Sequence, residues 1–345
     1  MTGTREPYLP ALQDWMRDHV PGFRGTLHVQ AFEGGQSNPT FRLSALSGEY
    51  VLRRRPLGNL LPSAHAVDRE YRVQRALEET AVPVARVHGY CADAAVIGSA
   101  FYVMDYVPGR IFFDPRLPDV TPDQRAAMFA AMNDVIAHLH GIDWRAVGLE
   151  GFGRPGGFLA RQIGRWTSQY RASEMQPIEA MDRLIEWLPA HLPAADEVSL
   201  VHGDYRMDNL IFHLTEPRVV AVLDWELATI GDPLADFGYH VGAWRITPEL
   251  FRGLAGSDLR ALGIPTEAEY VAAYCHKTGR GVIADWEYYL VFGMFRLAAI
   301  LQGIRKRAAD GTAASQQAID IGNRAPRVAE AAWAAAQGIQ LRADR

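Results

Sequence analysis

The sequence predicts an α+β protein of two lobes, a small β-rich amino-terminal lobe and a larger, mainly helical one. A chain of 345 residues exceeds the usual size of a single hydrophobic core. Five β-like runs and one main helix precede about residue 107, and helical periodicity dominates the remainder. We therefore expect an amino-terminal lobe over residues 1–105 and a carboxyl-terminal lobe over 106–345, with a linker at about 104–109.

The small lobe is predicted to contain an antiparallel meander. A short amphipathic helix is expected over PYLPALQDWMRDHV, followed by strands over LHVQAF, TFRLSAL and EYVLRRR. The segments FEGGQSNP and LSGE between these strands are rich in turn-forming residues. The run AVDREYRVQRALEET, from Ala66, has helical periodicity, and ARVHGYC and AFYVMDYV supply two more strands.

The second lobe is predicted to be mainly helical. A long helix is expected over TPDQRAAMFAAMNDVIAHLHGID, with Thr121 as N-cap, Pro122 at the first helical position and Gly141 near its end. Further helices are expected near residues 158–172, 178–191, 233–245, 267–279, 284–303 and 315–337. The exception is VSLVHGDYRMDNLIFH with RVVAVLDWELATIGDP, where two short strands flank polar loops and form a small hairpin.

Composition excludes several classes of protein. The net charge of -5, from 35 Lys and Arg against 40 Asp and Glu, gives no reason to expect a nucleic-acid partner. Cys91 and Cys275 lie far apart without metal-ligand spacing, which excludes a zinc site and favours a reduced, cytoplasmic compartment. The start, MTGTREPYLP, lacks the apolar core of a signal peptide. The apolar stretch from Tyr288 is interrupted by Arg296 and Gln302, so a buried core helix is expected rather than a membrane span.

Two polar motifs in the hairpin region point to phosphoryl transfer. HGDYRMDN places His202, Asp204, Asp208 and Asn209 between apolar strands, and LDWELATIGDPLAD follows. The order of a β-rich lobe, a linker, H-G-D-x-x-x-x-N and then L-D-W resembles the aminoglycoside phosphotransferase family, which has a protein-kinase-like fold. The resemblance covers most of the chain, from about residue 27 to at least 245.

This resemblance implies a role for each motif residue and two cofactors, ATP and Mg²⁺. Asp204 matches the catalytic-loop aspartate, which accepts the proton of the substrate hydroxyl. Asn209 and Asp224 match the amide and the carboxylate that ligate Mg²⁺, a cation that prefers oxygen ligands. His202 is expected to brace the loop, and Asp208 to be a solvated or loop-pinning carboxylate.

Asp232 and Asp236, in GDPLAD, are predicted to be helix caps or loop anchors rather than catalytic groups. The resemblance agrees with a structural role for both. It also allows that Asp236 braces the catalytic loop.

In the small lobe, EGGQSN takes the position of a phosphate-covering loop. Backbone N–H groups from Gly35 and Gln36 to Asn38, together with the Ser37 hydroxyl, are expected to contact the ATP phosphates. The alternative is an ordinary hairpin turn, for which the same residue types are suited.

The third strand departs from the kinase pattern because Arg53 stands where such folds place a lysine. Strand alternation puts Val51 and Arg53 on one face, so that Val51 would lie against adenine while Arg53 reaches the α- and β-phosphates. Glu70, on the following helix, is the expected partner of Arg53. The alternative is a solvated basic edge formed by Arg53 to Arg55.

MDYVPG resembles the linker between lobes. Backbone groups of Asp105, Tyr106 and Val107 are expected to hydrogen-bond the adenine edge, with Met104 lining its pocket. The alternative is a strand that simply leaves the core.

The acceptor is expected to be a small molecule with a hydroxyl group. From Val241 to the end, the chain has 13 Lys and Arg against 10 Asp and Glu, which disfavours a polycationic aminoglycoside. GGQSNPTFRL, YVLRRRPLGNLLPSAHAVDREYRV and VIGSAFYVMDYVPGR resemble the kinase portion of certain acyl-CoA dehydrogenase family members. That resemblance implies a hydroxyacyl-CoA acceptor, phosphorylated on its acyl hydroxyl. The basic LRRRP stretch would suit CoA phosphates, and the alternative is that it is wholly occupied with ATP.

Three rival functions stay open on the sequence. One is an aminoglycoside or other small-alcohol kinase. Another is a non-catalytic nucleotide-binding protein, favoured only by the missing lysine and disfavoured by the retained Asp204. A protein kinase is disfavoured by the helical segment before HGD and by the absence of an A-P-E element after LDW.

Overall fold

The computed structural model describes residues 9–32, 38–57, 66–311 and 316–343. The strands are β1 (His28–Ala31), β2 (Thr40–Ala45), β3 (Gly48–Arg54), β4 (Val87–Cys91), β5 (Phe101–Asp105), β6 (Ser199–Val201), β7 (Leu210–Phe212), β8 (Val219–Val222) and β9 (Thr229–Gly231). The helices are α1 (Leu9–His19), α2 (Val67–Leu77), α3 (Ala94–Ile97), α4 (Pro122–His140), α5 (Phe158–Ser173), α6 (Glu179–Ala190), α7 (Pro233–Val241), α8 (Pro248–Phe251), α9 (Leu259–Leu262), α10 (Glu267–Lys277), α11 (Trp286–Ala309), α12 (Gln316–Gly322) and α13 (Ala325–Ala343).

The predicted α+β fold is confirmed, with a five-stranded antiparallel sheet in the order β1-β2-β3-β5-β4 and many helices. The alternation of β3 separates two cores. Leu52 packs into a cluster with α1 on one side, whereas Val51 joins a cluster with the start of α2 on the other. The pairing of β3 with β5 sets Arg53 opposite Tyr102 and Val51 opposite Met104.

The chain divides into two compact units. The first comprises residues up to 110 with 145–152 and 209–228, and the second comprises 111–144, 153–208 and the chain from 229 onward. The predicted boundary at residues 104–109 stays a prediction. The motif region forms four short strands rather than the two expected, because β7 pairs with β8 in the first unit and β6 pairs with β9 in the second.

Most of the predicted helices are present with small shifts at their ends. The helix expected over 315–337 is wrong as a single element, since the chain forms α12 and α13 with a break at Asn323 and Arg324. Thr121 caps α4 by accepting from the Gln124 N–H, as predicted. The stretch from Tyr288 lies in α11, most of whose first 18 residues are buried, so the core-helix prediction is confirmed. None of the helices in the described ranges has the length and apolar character that crossing a bilayer requires.

Candidate functional site

Arg53 lies between two carboxylates in the first unit. Its Nε is 2.7 Å from Glu70 Oε2, and its Nη2 donates to Asp224 Oδ1 at 2.6 Å. The side chain is only 15% exposed. Burial alone would lower the pKa of Arg53, but Glu70, followed by Tyr102 and Asp224, raises it above its ordinary value, so the guanidinium stays charged. The predicted pairing with Glu70 is present, and a solvated basic edge does not describe this residue.

Glu70 is the buried anchor of this arrangement. Its carboxylate accepts from Asn38 Nδ2 at 2.6 Å and from the Tyr102 hydroxyl at 3.1 Å. Burial raises the pKa of Glu70, and the contact with Arg53 opposes that shift. The Asn38 side chain is thus engaged within the fold, while Gly35, Gln36 and Ser37, predicted to cover phosphates, lie outside the described residues.

An apolar cluster on the same face of the sheet as Arg53 contains the residues predicted to contact adenine. Val51, Met104, Tyr106 and Val107 all belong to it. Of the backbone groups predicted to contact the adenine edge, two N–H groups are already used within this unit, because the Asp105 N–H donates to Arg86 O at 2.9 Å and the Tyr106 N–H to Glu49 O at 3.2 Å. The Asp105 carboxylate lies 2.6 Å from His88 Nε2.

Asn209 and Asp224 lie on neighbouring loops at the β7–β8 pair. The Leu223 N–H donates to Asn209 O at 2.8 Å, which holds the two loops together directly before Asp224. Asp224 has a φ of 64°, a left-handed conformation that is uncommon outside glycine and often occurs at functional sites. Its side chain is 32% exposed, so part of the carboxylate is open to a ligand.

The oxygen donors of Asn209 and Asp224 suit Mg²⁺, which binds proteins through one or two carboxylates plus phosphate oxygens and water. Among the described residues, no group of three or more His, Cys, Asp or Glu is arranged to hold a metal ion.

Asp204 lies in the second unit, in the loop after β6. Its backbone N–H donates to His202 Nδ1 at 3.1 Å, and its Oδ1 is 3.3 Å from Arg206 Nε. The Tyr239 hydroxyl hydrogen-bonds the Asp204 carboxylate; burial and then this negative charge raise the pKa of Tyr239. The carboxylate is 17% exposed. A partly exposed, oriented carboxylate of this kind is suited to accepting a proton.

Asp236 braces the loop that bears Asp204. It accepts from the His202 N–H at 2.8 Å and the Gly203 N–H at 2.9 Å, and lies 3.2 Å from His140 Nε2. Burial acts to raise the pKa of Asp236, but His140 and the His202 amide outweigh it and the pKa is lowered. Arg296 also contacts this loop, by donating to Gly203 O. His202 and Asp236 therefore have the bracing contacts that the sequence suggested.

Asp208 is a loop-pinning carboxylate rather than a solvated one. It accepts from Arg206 Nη2 at 3.2 Å and pairs with Arg252, and its side chain is 10% exposed. Arg252 in turn lies 5.6 Å from the centre of the Phe251 ring.

Asp232 caps α7, the helix that positions Asp236 and Tyr239. Its carboxylate accepts from the N–H groups of Leu234 and Ala235. Burial raises its pKa from 3.8 to about 7, and Glu197 and Asp196 act in the same direction. Asp232 therefore binds its proton more tightly in the folded protein than in the unfolded chain. Its contribution to the free energy of unfolding is fully present below about pH 4 and is lost as the pH rises through 7.

We therefore expect Asp232→Asn, which keeps a capping oxygen and removes the titration, to be more stable than wild type at pH 8 by on the order of 2 kcal/mol. At about pH 4 the difference should largely vanish. Thermal unfolding of both proteins over this pH range measures the change. Asp258→Asn, at the exposed cap of α9, is the matched control. A difference that does not vary with pH would contradict the assignment to Asp232.

The second unit also contains an apolar pocket that the sequence did not reveal. Its volume is about 60 Å³. Its lining is largely aromatic and aliphatic, with three charged side chains: Phe113, Pro115, Phe129, Met132, Arg206, Met207, Asp208, Tyr239, His240, Gly242, Ala243, Trp244, Ile246, Phe251, Arg252, Leu254, Gly293, Met294 and Leu297. Because Tyr239 and Arg206 both contact Asp204, the pocket adjoins that carboxylate.

Tyr239 and Arg296 are the polar residues of this site that sequence reasoning missed. Tyr239 follows Asp236 by one helical turn and so shares its face, a spacing that was available as a signal. Arg296 is the charge that interrupts the apolar stretch of α11, and its guanidinium lies 4.2 Å from the centre of the Tyr239 ring.

Comparison with known proteins agrees with this geometry. A family model described as the phosphotransferase enzyme family matches residues 28–286. The crystal structure of a "putative aminoglycoside phosphotransferase" from Ralstonia eutropha JMP134 is 53% identical, with a TM-score of 0.88, and the match covers 95% of this chain and 98% of that one.

Longer proteins match as well. Acyl-CoA dehydrogenase family member 10 of Mus musculus is 45% identical over 328 residues, and family member 11 of Homo sapiens is 40% identical over 327. Each match covers 93% of this chain but only 31% and 42% of those proteins, so the chain spans less than half of these relatives. The family match across most of the described fold shows that the chain belongs to the phosphotransferase enzyme family.

Proposed function

We propose that the protein transfers the γ-phosphoryl group of ATP, with Mg²⁺, to the hydroxyl of a small molecule. The observation that carries this proposal is the placement of Arg53 between the buried Glu70 and the partly exposed Asp224. It sets a permanent cation beside the carboxylate that the family motif assigns to metal, which is the charge arrangement that a polyphosphate needs.

The remaining predicted residues would bind adenine, hold Mg²⁺ and accept the proton of the acceptor. Val51 and Met104 would contact the adenine face, and the Val107 N–H would serve its edge, since the N–H groups of Asp105 and Tyr106 are used within the fold. Asn209 and Asp224 would hold Mg²⁺, which when bound neutralises phosphate charge. Asp204 would orient the acceptor hydroxyl and accept its proton, with Tyr239 fixing the carboxylate.

For the acceptor we propose a hydroxyacyl-CoA. The pocket beside Asp204 is apolar, and its charged residues are two cations, Arg206 and Arg252, against one anion, Asp208. Such a lining suits an acyl chain and repels a polycation. The similarity to acyl-CoA dehydrogenase family members supports the same class of compound.

One sequence-based idea is not supported. The LRRRP stretch was expected to suit CoA phosphates, but Arg53 is occupied by carboxylates and Arg54 is 2% exposed, with its guanidinium 5.4 Å from the Phe41 ring centre. Arg53 is therefore committed to the proposed ATP site and Arg54 is buried, so neither is available to CoA phosphates. Arg252, 37% exposed at the pocket, is better placed for an anionic group.

The test is ADP release with ATP and Mg²⁺ across a panel of acceptors. We expect turnover with 4-hydroxyacyl-CoA thioesters and little with kanamycin-type aminoglycosides, because only the former bring an apolar chain to the pocket. The matched non-hydroxylated acyl-CoA thioesters control for ATP hydrolysis. Turnover of aminoglycosides alone would overturn the acceptor class, and a chain that binds ATP yet phosphorylates no alcohol would be a non-catalytic binder.

A further inference from the structure

Gly242 is a buried glycine that faces open space. It lies in the 3-10 turn after α7 and lines the apolar pocket, and a Cβ placed on it would meet no atom within 4 Å. Gly293, on the opposing helix α11, lines the same pocket but differs, because its Cβ would lie 3.1 Å from the Tyr239 Cα. A side chain at position 293 would therefore meet a tight contact, whereas packing leaves room for one at 242.

The backbone does not require glycine at position 242 either. Its φ of -50° and ψ of -24° are helical angles that any residue adopts. Glycine costs conformational entropy in such a position, and a cavity inside a protein forfeits packing. Gly242 thus leaves a cavity open although both the glycine and the cavity destabilise the fold. This combination points to a ligand that fills the space.

We propose that the space in front of Gly242 binds the unbranched apolar chain of the acceptor beyond its reacting hydroxyl, so that Gly242 sets the longest chain accepted. This rests on the proposed function in one respect, that the acceptor hydroxyl lies at Asp204. Tyr239 connects the Asp204 carboxylate with the apolar pocket, since its hydroxyl hydrogen-bonds Asp204 and its side chain lines the pocket. The walls that would contact the chain are the apolar side chains of Phe129, Met132, Trp244, Met294 and Leu297.

Straight-chain alcohols from butanol to decanol test this directly, because they carry the hydroxyl and the apolar chain without CoA. We expect wild type to bind each longer alcohol about fourfold more tightly, as methylene burial predicts, until the pocket is filled. In Gly242→Ala we expect the affinity to stop rising at a shorter alcohol than in wild type, and in Gly242→Leu at a shorter alcohol still. Only the long alcohols should bind Gly242→Leu more weakly than wild type, by about tenfold or more. Ligand-observed NMR titration gives the affinities.

Gly164→Leu is the matched control, since Gly164 is exposed on α5 and a Cβ there also meets nothing within 4 Å. It should leave the chain-length profile unchanged. Circular dichroism at the assay temperature shows whether each variant is folded, and Gly242→Ala, which adds a single methyl group, serves if Gly242→Leu is not. The same profile in wild type and both Gly242 variants, or an equal loss at every chain length, would overturn the proposal.

A parallel kcat/KM series with 4-hydroxyacyl-CoA thioesters of increasing length separates the two proposals. If thioesters are turned over and Gly242→Leu leaves their length profile unchanged, the function stands and the role of Gly242 is wrong. If no thioester is turned over but the alcohol profile is truncated in Gly242→Leu, the pocket binds a chain and the hydroxyacyl-CoA acceptor is wrong.

Discussion

Asp204→Asn is expected to lower kcat by about two to four orders of magnitude while ATP affinity stays unchanged. Asparagine keeps the shape of the side chain and an oxygen for the Tyr239 hydroxyl, but it does not accept the acceptor's proton. ATP affinity should persist because Val51, Arg53 and the residues from Met104 to Val107 belong to the first unit, whereas Asp204 belongs to the second. Steady-state ADP release and calorimetric titration with a non-hydrolysable ATP analogue measure the two quantities.

Asp134→Asn is the control for this substitution. Asp134 is a carboxylate of the same unit whose side chain is 51% exposed, and it pairs with Lys277 at 2.6 Å. Exposed pairs contribute about 1 kcal/mol at most, so activity and fold should be retained. If Asp204→Asn keeps more than about a tenth of the wild-type kcat, Asp204 is not a general base.

The local features of this chain were predictable from sequence because they depend on near neighbours. Turn-forming residues separate the strands of the sheet, and Thr121 with Pro122 starts α4 as their types require. Asp232 and Asp236 were recognised as structural for the same reason, since both lie in the first turns of one helix. The break in the tail between α12 and α13 did carry a local signal that the single-helix prediction overlooked, since Gly322 and Asn323 lie at the end of α12 and Pro326 lies in the first turn of α13.

The features missed from the sequence depend on residues far apart in it. Arg53 and Asp224 are 171 positions apart, and the contact between them joins β3 to the segment that follows β8 within the first unit. The four short strands of the motif region pair across the polar loops, which a reading of periodicity does not detect. The open space at Gly242 depends on the surrounding helices, so the glycine alone did not predict a pocket.

The ion pair of Arg53 offers a way to separate folding from function. Glu70 is 1% exposed, and removal of its cation leaves a buried charge that Asn38 and Tyr102 alone do not neutralise. We expect Arg53→Met to destabilise the protein by about 3 to 5 kcal/mol, measured by urea unfolding. Arg53→Lys should lose much less stability but bind ATP more weakly, because one ammonium replaces a fork that contacts two carboxylates.

The double variant Arg53→Met with Glu70→Gln decides between the two roles. Replacing both partners removes the uncompensated charge, and the introduced amide keeps an oxygen for the Tyr102 hydroxyl, so most of the lost stability should return. ATP affinity should not return, because the cation proposed to bind phosphate is still absent. Arg17→Met, at the exposed α1 pair with Asp14, controls for loss of an arginine and should change neither quantity by much. If the double variant regains both stability and ATP affinity, then Arg53 supports the fold alone and the phosphates are bound by other groups.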